Sequence, residues 1–260
     1  MPWQRFFLRG AAAPSLPAAT LNAVVLCFGL SALFVYAFSA LQYEWHWQVL
    51  YQYRHKLWQG WLMTVMISAI SLLMSLIVGL LLAAAQRSPV ILVCQLGRTI
   101  VEVIRGTPLL VQILIFFYVV ADAFGLQNRY VAGVLILALF SGAYISEIIR
   151  AGVESISQSQ IDSARSLGFT PWQIYRHVII PQVLRRILPP LAGQFASLIK
   201  DSSLLSIIAI SEFTLNAQEV NAFTFSTLES YLPLALGYLI LTLPVSLYSR
   251  HMERKFNYAT

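Results

Sequence analysis

The chain has 260 residues, of which 58% are hydrophobic and only 11% are charged, and its mean hydropathy is +0.70. Soluble domains average about 25% charged residues, so this composition excludes a soluble globular fold. Uncharged runs of 34 residues (10–43) and 30 residues (57–86) are long enough to cross a bilayer as helices, because about 20 apolar residues suffice. The sequence therefore predicts an all-α, polytopic membrane protein.

Six transmembrane helices fit the apolar runs, at 21–41, 60–86, 96–121, 130–150, 190–211 and 230–250. The first run is too long for the core of a signal peptide, so we interpret it as an uncleaved span. Cleavage after an alanine is the alternative. Residues 1–20 and 251–260 are then predicted to be the cytoplasmic N- and C-terminal segments.

The positions of the lysines and arginines predict the orientation. With the loops assigned alternately and the N-terminus inside, 13 basic residues lie in the cytoplasm and only Arg54, Lys56 and Arg129 lie outside. This asymmetry satisfies the positive-inside rule. The net charge of +6 therefore indicates membrane orientation and not nucleic-acid binding, and both termini are predicted to be cytoplasmic.

Small residues recur every three or four positions along the second predicted span: Gly60, Thr64, Ser68, Ser71, Ser75 and Gly79. Residues at this spacing share one helix face, and small side chains let helix backbones approach closely in lipid. We interpret this stripe as a helix-packing surface. Lining a translocation pathway is the alternative.

Three pairs of charged residues lie in or near the ends of the predicted spans: Glu102 and Arg105, Glu147 and Arg150, and Lys200 and Asp201. Charges at membrane depth are costly unless they face protein, an opposite charge or a water-filled cavity. These six residues are our candidates for a substrate path. Internal ion pairs that only fix helix packing are the alternative.

Residues 151–189 are rich in charge and contain no run long enough to span, so they predict a water-facing segment of two short helices. Gly168 can take the left-handed position that ends the first helix. Thr170, with Gln173 three residues later, forms a capping box that begins the second. Pro181, Pro189 and Pro190 are expected to end the second helix.

This segment resembles the EAA loop of ABC importer permeases, whose pattern is E-A-A-x3-G-x9-I-x-L-P. The matching residues are Asp162-Ser163-Ala164, Gly168 and Val178-Ile179-Ile180-Pro181, with conservative replacements at four positions. Further motifs are similar to the polar amino-acid subfamily: Ala164-Arg165-Ser166-Leu167-Gly168, Gly60-x3-Thr64, the run from Glu102 to Gln112, Ala143-Tyr144-x2-Glu147-Ile148-x-Arg150, and the run from Lys200 to Leu204. The resemblance covers about residues 57–250.

The resemblance implies a five-span permease core at 57–250, with a coupling loop at 151–189 and an additional N-terminal span at 21–41. It also implies that the coupling helix docks on a separate ATP-binding cassette subunit, which would bind ATP and Mg²⁺. The implied docking residues are Asp162, Ser163, Ala164, Arg165, Leu167, Gly168 and Pro181. No lysine of this chain follows a glycine, so it lacks a Walker A loop. We expect no catalytic residue, cofactor or metal site in it.

The function that we expect is that of a permease subunit in the bacterial inner membrane, for polar amino acids delivered by a periplasmic or surface binding protein. It would pair with a second permease, identical or paralogous. Glu147 is the first candidate to meet the substrate's ammonium group. The alternatives are a permease for another small polar solute, an ion-coupled secondary carrier and a structural scaffold.

Overall fold

The computed structural model describes residues 16–40 and 43–257, and the chain divides into two units, Met1–His46 and Trp47–Thr260. The first unit contains helix α1 (Leu16–Ala40), which carries no charged residue. Most of the predicted N-terminal segment 1–20, together with residues 258–260 of the predicted C-terminal segment, lies outside the described residues.

The second unit opens with the short helix α2 (Gln48–Gln52) and the 32-residue helix α3 (Arg54–Ala85). Helix α4 (Ile91–Gly106) follows, and then α5 (Leu109–Ile115), which continues as a π-helix over Phe116–Ala121.

The prediction of one continuous helix at 96–121 is wrong, because α4 and its continuation are bent by 112° at residues 107–108. Pro108 has no N–H group to donate to the helix, and a proline forces the residue before it into an extended conformation. Thr107 accordingly has φ −122° and ψ 148°.

Helix α6 (Arg129–Glu154) packs along α3 at the centre of the unit. The two backbones approach closely: a Cβ atom added to Gly79 would lie 2.5 Å from Ile145 Cγ2, and one added to Gly142 would lie 2.6 Å from Val78 Cγ1. The residues of the small stripe on α3 are all buried: Gly60, Thr64, Ser68, Ser71, Ser75 and Gly79. The structure thus places this stripe inside helix interfaces.

The charged segment after α6 forms α7 (Gln158–Ser166) and α8 (Pro171–Ile174). A π-helical stretch (Tyr175–Ile179) then leads into α9 (Ile180–Asp201), which continues as a 3₁₀-helix over Ser202–Ile208. The last two helices are α10 (Phe213–Thr224) and α11 (Thr227–Asn257).

The expectation that three prolines end the helix after Thr170 is wrong. Pro181 directly follows the π-helical stretch and lies in the first turn of α9, and α9 continues through Pro189 and Pro190. Neighbouring helices support interior prolines in membrane bundles. Here Ser249 Oγ of α11 donates a 2.9 Å hydrogen bond to the Pro189 carbonyl.

The all-α, membrane-spanning fold class is confirmed. Four helices of the described residues are long and apolar enough to cross a membrane: Thr20–Ala40, Arg54–Ala85, Arg129–Glu154 and Thr227–Glu253. The bent pair α4 and α5 makes a fifth if it crosses as one unit. Helix α9 is not among them, so the count of six and the domain boundaries drawn from it stay predictions.

Candidate functional site

A charged cavity of about 610 Å³ lies where α3, α4 and α6 meet. We call it the charged pocket; seven charged residues line it: Arg87, Arg98, Arg105, Arg150, Glu102, Glu147 and Glu154. Four of the six residues predicted for the substrate path therefore come together here. Lys200 and Asp201 do not line this pocket but lie at the end of α9, and no ion pair joins them in the described part of the chain.

Glu147 is the centre of an ion-pair network in this pocket. Its Oε2 atom accepts hydrogen bonds from Arg105 Nη1 at 2.9 Å and Arg150 Nη2 at 2.8 Å, and its Oε1 atom accepts one from Arg150 Nε at 2.9 Å. Arg150 Nη1 also donates to Glu154 Oε2 at 2.7 Å. Only 19% of the Glu147 side chain is exposed, and two guanidinium groups already neutralise its charge.

The remaining charges of the pocket are Arg87, Arg98 and Glu102, all exposed. None of the three forms an ion pair among residues 16–40 and 43–257. Four arginines and three glutamates give the lining a formal charge of +1. The pocket therefore offers both a free carboxylate and free guanidinium groups, which is the chemistry that a zwitterion requires.

Two polar residues at this site were missed by the sequence analysis. The amide nitrogen Nε2 of buried Gln86 donates to Ser146 Oγ at 3.3 Å, and Cys94 Sγ donates to the Gln86 carbonyl at 3.0 Å. These bonds join the end of α3 to α6 and to α4. A glutamine at the end of a predicted span is ordinary, so the sequence held no signal for this contact.

The turn between α7 and α8 has the geometry that its sequence indicates. Gly168 has φ +81°. The Gly168 N–H donates to the Arg165 carbonyl at 2.9 Å, and the Phe169 N–H donates to the Ala164 carbonyl at 3.1 Å, which is the Schellman pattern. Thr170 and Gln173 then form both hydrogen bonds of a capping box.

Helix α7 presents a polar face with an apolar tip. Ala164 is buried beneath it, with 6% of its surface exposed. Asp162, Ser163, Arg165 and Gly168 are exposed, and Leu167 is 77% exposed although it is apolar.

The N-terminal end of the segment that carries α7 is fastened to α9. Arg186 Nη1 donates a short hydrogen bond to the Ser155 carbonyl at the end of α6. Ile156 lies in a buried cluster with Val183 and Ile187. Because Gly152 packs against Ile187 with no room for a Cβ atom, α6 and α9 are in direct contact at this point.

Glu212 forms a second buried polar site that the sequence analysis missed. Its side chain is fully buried and caps α10 by accepting from the Thr214 and Leu215 N–H groups at 2.9 and 2.8 Å. It also accepts from Thr64 Oγ1 at 3.2 Å and Tyr238 Oη at 3.0 Å. This single carboxylate thereby joins α3, α10 and α11.

Comparisons with known proteins agree with this architecture. Over 199 residues the chain is 37% identical to the glutamine transport system permease protein GlnP of Escherichia coli (strain K12), covering 76% of this chain and 91% of that protein. It is 34% identical over 196 residues to the probable glutamine ABC transporter permease protein GlnM of Bacillus subtilis (strain 168), with 75% and 91% coverage.

Two solved structures share the fold. A crystal structure of an amino acid ABC transporter with histidines superposes with a TM-score of 0.75 at 33% identity, covering 82% of this chain and all of that one. The MetNI methionine ABC transporter in an inward-facing conformation gives a TM-score of 0.58 at 19% identity, with 80% and 97% coverage, and supports the fold alone.

The profile of one protein family matches residues 75–258, which is most of the second unit and includes the charged pocket, α7 and Glu212. The chain therefore belongs to the family of binding-protein-dependent transport system inner membrane components.

Proposed function

We propose that this chain is the permease subunit of an ATP-driven importer and that it forms the membrane pathway for polar amino acids. The observation that carries this proposal is its 37% identity to a glutamine permease over 91% of that protein's length. The charged pocket supports it, because a zwitterion leaving water needs compensating charges of both signs.

The proposal includes three protein partners. A separate ATP-binding cassette subunit, carrying ATP and Mg²⁺, would dock on α7 and the Gly168 turn, and the exposed Asp162, Arg165 and Leu167 support this. A second permease, identical or paralogous, would complete the pathway. A periplasmic or surface binding protein would deliver the substrate.

The substrate class is tested by purifying the complete complex and measuring uptake of a panel of radiolabelled amino acids into vesicles. We expect a polar amino acid to be the preferred substrate, with unlabelled competitors of the same class reducing its uptake. Preference for an apolar amino acid, or transport of another solute in place of amino acids, would reject the assignment.

The proposed orientation places both termini and α7 in the cytoplasm of a bacterial inner membrane. Single cysteines at Gln52 and Gln158, which are both exposed, test it in a background without Cys27 and Cys94. An impermeant maleimide added to whole cells should label position 52 and not position 158. Labelling of position 158 from outside would show that the orientation is reversed.

Replacing Glu147 tests whether this residue contacts the substrate or only forms an internal ion pair. Glu147→Gln keeps the shape of the side chain but removes the charge that two arginines contact. If Glu147 meets substrate, the variant should assemble, keep its basal ATPase activity and need about tenfold more substrate for uptake, the cost of one charged hydrogen bond.

The matched control is Glu154→Gln, which removes the other carboxylate bonded to Arg150 but leaves Glu147 in place. Uptake selectivity and thermal stability are measured on the same preparations. Lower stability of Glu147→Gln with an unchanged substrate profile would assign Glu147 to helix packing and remove it from the path.

A further inference from the structure

The side chain of one residue of α5 bridges the break between α4 and α5 by hydrogen bonds. Gln112, in the first turns of α5, places its amide nitrogen Nε2 at 2.6 Å from the Ile104 carbonyl oxygen and 3.1 Å from that of Thr107. The same nitrogen lies 2.8 Å from Thr107 Oγ1, and that hydroxyl donates to the Val103 carbonyl at 2.8 Å.

The carbonyl groups of the last turn of a helix have no hydrogen-bond partner within that helix. At the end of α4 the side chains of Gln112 and Thr107 provide such partners. Thr107 and Pro108 are both extended, so the direction in which α5 leaves α4 depends on the dihedral angles of two residues. The Gln112 amide spans this junction and ties α5 back to α4.

Arg105 lies between the two residues whose carbonyl groups Gln112 contacts. The two carbonyls that Gln112 contacts belong to Ile104, directly before Arg105, and to Thr107, two residues after it. From this position the Arg105 guanidinium reaches across to Glu147 on α6 at 2.9 Å and lies 5.4 Å from the centre of the Tyr144 ring.

We propose that Gln112 is a positioning residue that fixes the α4–α5 bend and thereby holds Arg105 against Glu147 in the charged pocket. The amide is required because it donates hydrogen bonds to carbonyl oxygens, and a carboxylate of the same size can only accept them. The expected effect of Gln112 on transport rests on the proposed function, whereas its expected effect on the α4–α5 bend does not.

The test is Gln112→Glu in the complete complex, with spin labels at Leu96 on α4 and Ile115 at the end of α5. Both positions are more than half exposed. The background lacks Cys27 and Cys94. Gln95→Glu is the matched control, because it makes the same chemical change at an exposed site on α4 for which the structure shows no side-chain hydrogen bond. Gln112→Met, which is also unable to donate, replaces Gln112→Glu if the charged variant does not assemble.

We expect the label-to-label distance to be the same in the wild type and in Gln95→Glu, and to shift or broaden in the Gln112 variant. The substrate concentration for half-maximal uptake should rise about tenfold in that variant with the maximal rate retained. An unchanged label distance would overturn the inference, and so would a changed distance with unchanged uptake parameters. Failure of the wild-type complex to take up amino acids would instead reject the proposed function, and the label distances would still decide the role of Gln112.

Discussion

Replacing Gly168 with valine should reduce the stimulation of ATP hydrolysis by the substrate-loaded binding protein roughly 5- to 30-fold, while the protein still inserts in the membrane at its normal amount. Gly168 has φ +81°, a conformation that β-branched residues rarely adopt. The strain costs about 1–2 kcal/mol, which is enough to depopulate the native turn by roughly 5- to 30-fold. Helix α7 would then have the wrong orientation for docking on the ATP-binding subunit.

Gly125 provides the matched control for this experiment. It has φ +66°, and a Cβ atom added to either glycine would meet no atom within 4 Å. Gly125→Val therefore carries a similar backbone strain but lies in the loop between α5 and α6, away from α7. We expect it to retain stimulated hydrolysis. Normal stimulation in Gly168→Val at normal membrane abundance would refute the role given to the turn.

Replacing Glu212 with alanine should cause the largest loss of stability of any variant considered for this chain. The substitution removes the N-cap of α10, which is worth about 0.5–2 kcal/mol. It also leaves the hydroxyl of Thr64 without a buried acceptor, at a further cost of about 1–3 kcal/mol. A total loss of about 1.5–5 kcal/mol should greatly reduce the amount of folded protein in the membrane.

Glu219 on the same helix provides the comparison. It pairs with Lys56 at 2.6 Å, but its side chain is 41% exposed, and exposed ion pairs contribute about 0–1 kcal/mol. Glu219→Ala should therefore unfold close to the wild-type temperature, and Glu212→Ala well below it, when the purified complexes are heated and tryptophan fluorescence is followed. Equal unfolding temperatures would contradict the account of the buried network.

Local sequence signals predicted local structure well in the water-facing segment. The capping box at Thr170 and the left-handed Gly168 depend only on residues within one or two turns, so they could be predicted without the rest of the fold. The break at Pro108 also has a local signal. The prediction missed it because the overall length of the apolar stretch was given more weight than the Thr-Pro pair.

The remaining features depend on tertiary contacts. Pro189 and Pro190 stay inside α9 because neighbouring helices support it, and nothing near them in sequence indicates that. The three-residue spacing of Glu147 and Arg150 predicts their ion pair, but the contact with Arg105 requires α4 to pack against α6. Glu212 contacts Thr64, which is 148 residues away in sequence, and Tyr238, which is 26 residues away, so its role could not be predicted locally.

The central claim is that this chain forms a pathway whose transport is driven by ATP hydrolysis in a partner subunit. Uptake of a radiolabelled polar amino acid should be measured in vesicles containing the permease, with and without the ATP-binding subunit, the binding protein and enclosed ATP. We predict uptake only when all three are present, and no uptake when an ion gradient replaces ATP. Uptake driven by an ion gradient in vesicles that contain the permease alone would contradict the claim.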